Sequence, residues 1–422
     1  MVTADVARVA AREAEIAVMK REPLGALHGV PLSLKDALYT RGLRTTGGSR
    51  LFAELVPEAD NVAVGRLKAA GAVVLGKTNL SEFGFKALTD SPMFGVTRNP
   101  WNTMLTPGGS SGGAAAAVAA GLGPIGIGTD GGGSVRIPAA FCGLVGFKPS
   151  YGRVPQAPGF PGWEHLSHTG PLTRTVRDAA AVLDVIAGAD DRDRDSLPGE
   201  PGRYLEACDH DIKGLHVAWT PDLGYAAVDE RVLEICGNAA AEFESLGCHV
   251  EVVNPAWENP EELFGTIVSA QFYAAWADAL PAREAEMDPS LVRFIRRGGA
   301  VTARNYLTAV GKVAAYWQEV HTFLERFDLL LMPTTAVPPF ALDGKIPREI
   351  AGQAVSILGW MPFTYPFNLT GQPAVSVPAG WTEDGLPVGL QIVGRRHADR
   401  TVLAAAAAFE AAMPWRERRP PQ

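Results

Sequence analysis

Apolar positions recur at helical spacing over residues 4–20, with Val6, Val9, Ala10, Ala17 and Val18 near one face. A strand pattern follows. Val30, Leu32 and Leu34 alternate with Pro31, Ser33 and Lys35, which sets Lys35 on the face opposite the aliphatic residues. A lysine at a strand end is ordinarily solvated. Residues 60–70 read as a helix, and Val73-Val74-Leu75 after them is strand-like.

Ala114 to Ala120 is a strong helix former, and Gly123 to Gly128, holding Ile125 and Ile127, reads as a short buried strand. Phe141 to Pro149 reads as an apolar segment and a turn, with Cys142 as a packed core thiol. Arg174 to Ala187 is helical in pattern, and the acidic, turn-rich stretch Gly188–Pro201 reads as a surface excursion. Residues 214–219 and 248–253 read as strands around a helix from about Glu230 to Leu246, a rhythm that favours a mixed or parallel sheet. Residues 261–327 are helical by composition, and Phe327 to Pro333 is a buried strand ending at a proline. Residues 341–355 give no clear pattern. Pro373 to Pro378 and Val388 to Gly394 read as paired strands around a turn at Glu383-Asp384-Gly385, and Thr401 to Met413 as a closing helix.

Composition narrows the class. A chain of 422 residues, 47% hydrophobic and 20% charged, suits a globular enzyme with a large core. No tandem repeat or composition break marks a second domain. The formal net charge is −8 with no basic block, which argues against a nucleic-acid partner. Cys142, Cys208, Cys236 and Cys248 lack metal-ligand spacing, so neither a metal site nor a disulfide framework is expected, and a reducing compartment fits. The first residues lack the apolar run of a signal peptide, and no apolar stretch is long enough to span a membrane. A cytoplasmic location is the resulting expectation.

Two glycine-dense loops carry the candidate chemistry. Gly108-Gly109-Ser110-Ser111-Gly112-Gly113 opens onto the alanine-rich helix, and Gly128-Thr129-Asp130-Gly131-Gly132-Gly133-Ser134-Val135-Arg136 ends the strand after it. Glycine lets a backbone turn sharply and bring its N–H groups close to another molecule. A helix N-terminus favours developing negative charge. No Gly-x-Ser-x-Gly elbow surrounds Ser134, and none of the eight histidines sits beside a glycine-framed serine. That invites a serine–lysine solution. Gly71 to Thr78 matches the phosphate-loop pattern G-x-x-x-x-G-K-[ST], but a helix precedes it and its spacer is strand-like, so nucleotide binding is disfavoured.

Further matching runs are Gly29-Val30-Pro31-Leu32-Ser33-Leu34-Lys35-Asp36, Gly76-Lys77-Thr78-Asn79, Arg98-Asn99-Pro100-Trp101, Pro107 to Gly113, Gly128 to Gly146, Lys148-Pro149 and Gly371-Gln372-Pro373-Ala374. In these the chain resembles the amidase signature family of serine hydrolases, from about residue 23 onward. The resemblance implies an α/β fold: one large domain over residues 1–422, with a mixed β-sheet core covered by helices on both faces. Only 34 residues precede Lys35, shorter than the family's usual helical lead-in, which leaves oligomer contacts, a homodimer among them, as an open expectation.

The resemblance also implies roles. Ser134 attacks the carbonyl and becomes the acyl-ester. Ser110, held in the family by a cis peptide bond, passes protons between Lys35 and Ser134, and Lys35 is the neutral base. N–H groups around Gly131, Gly132, Gly133 and Ser134 form the oxyanion hole. No cofactor or metal is implied. A lysine near its ordinary pKa of about 10.4 is no base at neutral pH, but burial can lower it by about 3–5 units. Each oxyanion donor contributes roughly 2.7–4 kcal/mol in the transition state. Asp130, Arg136 and Ser111 are expected to hold the loops by hydrogen bonds, and Phe160 and Trp163 to wall a pocket. With Lys35 as base, His165 and His168 have no catalytic assignment.

The reading is therefore a hydrolase of a small amide, anilide or carbamate, a urethanase among the candidates. The alternatives are the glutamine-hydrolysing component of a tRNA-dependent amidotransferase, a phosphate-loop nucleotide-binding protein, and a non-catalytic relative. The intact Lys35, Ser110 and Ser134 argue against the last.

Overall fold

The computed structural model describes residues 1–198, 203–342 and 345–421. Ten strands form one mixed sheet among the described residues. In chain order they are β1 (Pro31–Lys35), β2 (Val73–Thr78), β3 (Ile125–Asp130), β4 (Val145–Lys148), β5 (His168–Thr173), β6 (His216–Trp219), β7 (His249–Val252), β8 (Leu329–Pro333), β9 (Ala374–Trp381) and β10 (Pro387–Gly394). Their spatial order is β2-β1-β3-β5-β4-β9-β10-β8-β6-β7.

Helices flank this sheet: α1 (Ala4–Met19), α2 (Val62–Ala69), α3 (Gly112–Ala119), α4 (Arg136–Cys142), α5 (Val176–Ile186), α6 (Glu230–Ser245), α7 (Glu261–Trp276), α8 (Pro289–Gly298), α9 (Ala303–Arg326) and α10 (Asp399–Ala412). No helix among the described residues is long and apolar enough to cross a membrane.

Strand direction places the candidate chemistry. β1 runs parallel to β2 and β3, so Lys35 at the end of β1 and Thr129-Asp130 at the end of β3 emerge at the same edge. In open α/β sheets, ligands bind outside the carboxyl ends of such strands. β3 pairs antiparallel with β5, setting Asp130 opposite His168. The β6–α6–β7 unit is parallel, and β9 and β10 form the antiparallel pair read from their alternation. These strands are buried along most of their length, as a sheet covered by helices requires.

Three expectations need correction. The face assigned to α1 is wrong: Val6, Val9 and Val18 are exposed, while Ala7 is buried and Ala10, Ala14 and Ala17 are half-buried. Small side chains let this helix lie close to its support, so the alanine stripe packs and the valines do not. Val145–Lys148, read as a turn region, is a full strand of the sheet. β5 has no strand signature, since Gly170-Pro171 reads as a turn, yet Pro171 sits in register with Ile127. Residues 341–355 hold a small hairpin at Glu349–Ile350 and Gln353–Ala354. Part of the excursion Gly188–Pro201 lies outside the described residues.

The phosphate-loop match does not form such a loop. Gly76, Lys77 and Thr78 continue β2, and the Lys77 amine is buried. It donates to the Leu38 carbonyl at 2.5 Å and to the hydroxyls of Thr45 and Thr40 at 2.8 and 3.1 Å.

Candidate active site

Lys35 is fully buried at the end of β1. Its Nζ lies 2.7 Å from Ser110 Oγ, 2.8 Å from Thr129 Oγ1 and 3.2 Å from the Thr129 carbonyl. Burial lowers its pKa from 10.5 to about 7, with the Asp130 charge opposing the shift. The neighbours allow a neutral amine. Both hydroxyls can donate to its lone pair, while the Thr129 carbonyl accepts one of its N–H groups. Lys77 offers the contrast. The Thr40 and Thr45 hydroxyls spend their protons on the Leu38 and Leu43 carbonyls, so all three of its close partners accept, which suits an ammonium.

The second glycine loop is tied to the first. The Ser111 N–H donates to the Ser134 carbonyl at 3.1 Å. Ser111 Oγ donates to the Thr129 carbonyl at 3.1 Å and accepts from the Thr129 N–H at 3.3 Å. The Gly109–Ser110 peptide is cis. Ser134 stands just before α4 and is 6% exposed, so its hydroxyl side chain is not sealed in the core.

An ion pair anchors that loop from below. Asp130 and Arg136 are fully buried and meet at 2.9 Å. All five guanidinium N–H groups of Arg136 have acceptors. Nε and Nη2 reach the Asp130 carboxylate at 3.0 and 2.9 Å, and Nη2 also reaches Asn368 Oδ1 at 2.6 Å. Nη1 reaches the Thr364 carbonyl at 2.9 Å and Gln391 Oε1 at 2.8 Å. Burial alone would raise the Asp130 carboxyl, but the charge and fork of Arg136 hold it well below the usual carboxylate range. Arg136→Met should therefore cost about 3–5 kcal/mol by leaving a buried carboxylate unpaired. A denaturation midpoint equal to that of the unmodified chain would contradict this.

Asp130 also receives the N–H groups of Gly133 at 2.7 Å and Val135 at 3.1 Å. This corrects one expectation: the Gly133 N–H is committed to the carboxylate and cannot face a substrate oxygen. The N–H groups of Gly131, Gly132 and Ser134 have no acceptor among the described residues. The bare glycines are needed for packing as well. A Cβ on Gly131 would fall 2.3 Å from the Trp163 ring, and one on Gly133, where φ is +125°, would fall 2.4 Å from Thr364 Oγ1.

A cavity of about 370 Å³ opens beside these groups, lined by Phe160, Trp163, Phe83, Gly84 and Thr129. Trp163 is fixed by its indole N–H, which donates to the Phe83 carbonyl at 3.0 Å. Phe83 stacks on Trp276 with centroids 3.9 Å apart. His165 lies at the cavity's outer wall, and His168 is buried behind the Asp130 loop. Cys142 is buried as read, and burial pushes its thiol up. Among the described residues no group of three or more His, Cys, Asp or Glu side chains could hold a metal ion.

Several residues escaped the sequence reading. Thr129 contacts Lys35 from inside the glycine motif, one position before the ion-paired aspartate. Gln391 left a faint signal, as a polar residue inside the apolar run of β10. Asn368 and Thr364 left none.

Known proteins agree with this geometry. The family model Amidase matches residues 1–403. The chain is 42% identical over 410 residues to an acylamidase of Rhodococcus erythropolis, covering 94% of this chain and 84% of that relative. It is 38% identical over 442 residues to the GatA-type component of glutamyl-tRNA(Gln) amidotransferase from Moorella thermoacetica, covering 99% and 90%. Among solved structures, a bacterial aryl acylamidase of the amidase signature family superposes with a TM-score of 0.92 at 34% identity, covering 98% of this chain and 88% of that one. A 6-aminohexanoate cyclic dimer hydrolase superposes at 0.90 with 32% identity, covering 99% and 90%. The chain belongs to the amidase signature family and is an amide-bond hydrolase.

Proposed function

We propose that the protein is a stand-alone amidase, acting as one domain on small amides, anilides or carbamates through an acyl-enzyme on Ser134. The observation that carries this reading is the contact of 2.7 Å between Ser110 Oγ and a fully buried Lys35 amine whose pKa is lowered to about 7. In the proposed cycle, neutral Lys35 takes the Ser110 proton as Ser110 takes that of Ser134. Ser134 Oγ then attacks the carbonyl carbon, and the oxygen that gains charge meets the N–H groups of Gly131, Gly132 and Ser134. Collapse breaks the carbon–nitrogen bond while Ser110 hands a proton to the leaving nitrogen and is reprotonated by Lys35. Water enters by the same relay and releases the acid. Asp130, Arg136 and Ser111 hold the loops, and Phe160 and Trp163 wall the substrate cavity.

A second reading, ammonia release from glutamine within a larger complex, is favoured only by the likeness to the amidotransferase component. A hydrolysis panel separates the two. Anilides, aliphatic amides and carbamates are expected to turn over with the isolated chain, and glutamine poorly. Turnover of glutamine alone, or only after a partner protein is added, would overturn the stand-alone reading.

A further inference from the structure

Two buried titratable side chains behind the glycine loop have no part in the proposed cycle: Lys148 at the end of β4 and His168 at the start of β5. His168 Nδ1 lies 2.8 Å from the Leu166 carbonyl and 3.2 Å from the Asp130 carbonyl. Both partners can only accept, so Nδ1 carries the proton. Nε2 is then an acceptor, and Lys148 Nζ stands 3.3 Å from it. Lys148 also donates to the Gln372 carbonyl at 2.5 Å and to the Pro149 carbonyl at 3.2 Å. Burial first, then the Arg136 charge, lowers its pKa, while three acceptors around Nζ favour the ammonium. In either state it has an N–H for Nε2, so it fixes the imidazole tautomer.

The Asp130 carbonyl has a second donor, Asn368 Nδ2 at 2.9 Å. Both of its lone pairs are thus engaged on the side away from the cavity. The peptide joining Asp130 to Gly131 is trans and planar, so its N–H points opposite to its C=O. Anchoring that carbonyl aims the Gly131 N–H, which has no acceptor among the described residues, out of the loop. Donors on the carbonyl also strengthen the N–H at the other end of the same amide.

We infer that His168, held in one tautomer by Lys148, is a positioning residue that aims the Gly131 N–H at the oxyanion of the transition state. This rests on the proposed acyl-transfer reading, in which that N–H is an oxyanion donor. His168 acts on a peptide that bonds the substrate more strongly as charge develops, so its loss falls on kcat rather than on KM.

The test uses His168→Asn, His168→Gln and His168→Phe in the full chain. Asparagine places an amide N–H where Nδ1 stands; glutamine places it near Nε2, and phenylalanine places none. With an anilide substrate, His168→Asn should keep kcat within about threefold, whereas Gln and Phe should lower it about 10-fold or more with KM within about twofold. The affinity of a trifluoromethyl ketone, which forms a tetrahedral oxyanion on the nucleophile, should fall by the same factor as kcat/KM. The pH at which the rate rises should stay unchanged. A structural filler would rank the variants differently, with Gln, nearer to histidine in size, at least as active as Asn. That ranking, ketone affinity that does not follow kcat/KM, or a shifted pH profile would each overturn the inference. Should the Phe variant fail to fold, the Asn–Gln pair still decides. Failure of the underlying reading shows elsewhere, as activity that survives loss of the Ser134 hydroxyl.

Discussion

Ser134→Ala should lower kcat for an anilide by about a million-fold, to what binding and oxyanion donors supply without a nucleophile. The variant keeps the fold, because the loop is held by groups other than the Ser134 hydroxyl. Its carbonyl accepts from Ser111, and the neighbouring N–H groups of Gly133 and Val135 bind Asp130. Substrate affinity should therefore persist while turnover vanishes. Ser110→Ala should cost less, about 100- to 10,000-fold, since it removes a proton bridge and not the attacking atom. Amine release followed by absorbance checks both. Ser134→Ala activity within tenfold of the unmodified enzyme would refute the nucleophile assignment.

Lys35→Met should also abolish useful turnover, and it should do so while making the protein more stable. The active form of Lys35 is the free amine, so the acylation rate of the unmodified enzyme should climb as pH rises through about 7 and then level off. The stability effect has the same origin. Folding lowers this pKa from 10.5 to about 7, so the unfolded chain binds the extra proton between those values. The penalty on folding is full below pH 7 and fades as pH rises toward 10.5. At pH 7 it amounts to about 4 kcal/mol. Methionine removes that penalty but leaves Ser110 and Thr129 without the amine, at about 1 kcal/mol for each lost bond. The net expectation is a gain of about 2 kcal/mol, seen as a higher denaturation midpoint in a dead enzyme. A variant that melts lower, or an acylation rate flat from pH 6 to 9, would speak against a buried neutral lysine.

What was legible in the sequence was local. The alternation around Leu32 and Leu34 placed β1 and set Lys35 at its end, and the glycine spacing marked both loops. The β6–α6–β7 unit and the β9–β10 pair followed from periodicity because each is built from neighbouring residues. The misses have the opposite character. Arg136 finds Thr364, Asn368 and Gln391 more than 200 positions away, where no local pattern could announce them. β5 hid because its Gly-Pro step obeys turn chemistry, while tertiary pairing with β3 made it a strand. The α1 face was misjudged because valine is the more hydrophobic residue, yet close approach selected alanine. Lys35 itself reverses the ordinary exposure of lysine, and only the family pattern argued that it would.

The most direct test is covalent. The enzyme is treated with a serine-directed fluorophosphonate across pH 5.5 to 9, and the modified peptide is mapped by mass. A single adduct on Ser134 is predicted, formed at a rate that rises through about pH 7 and lost from both Ser134→Ala and Lys35→Met. An adduct on Ser110 or on another side chain, or labelling of Ser134 at a rate indifferent to Lys35, would contradict the relay from Lys35 to Ser134.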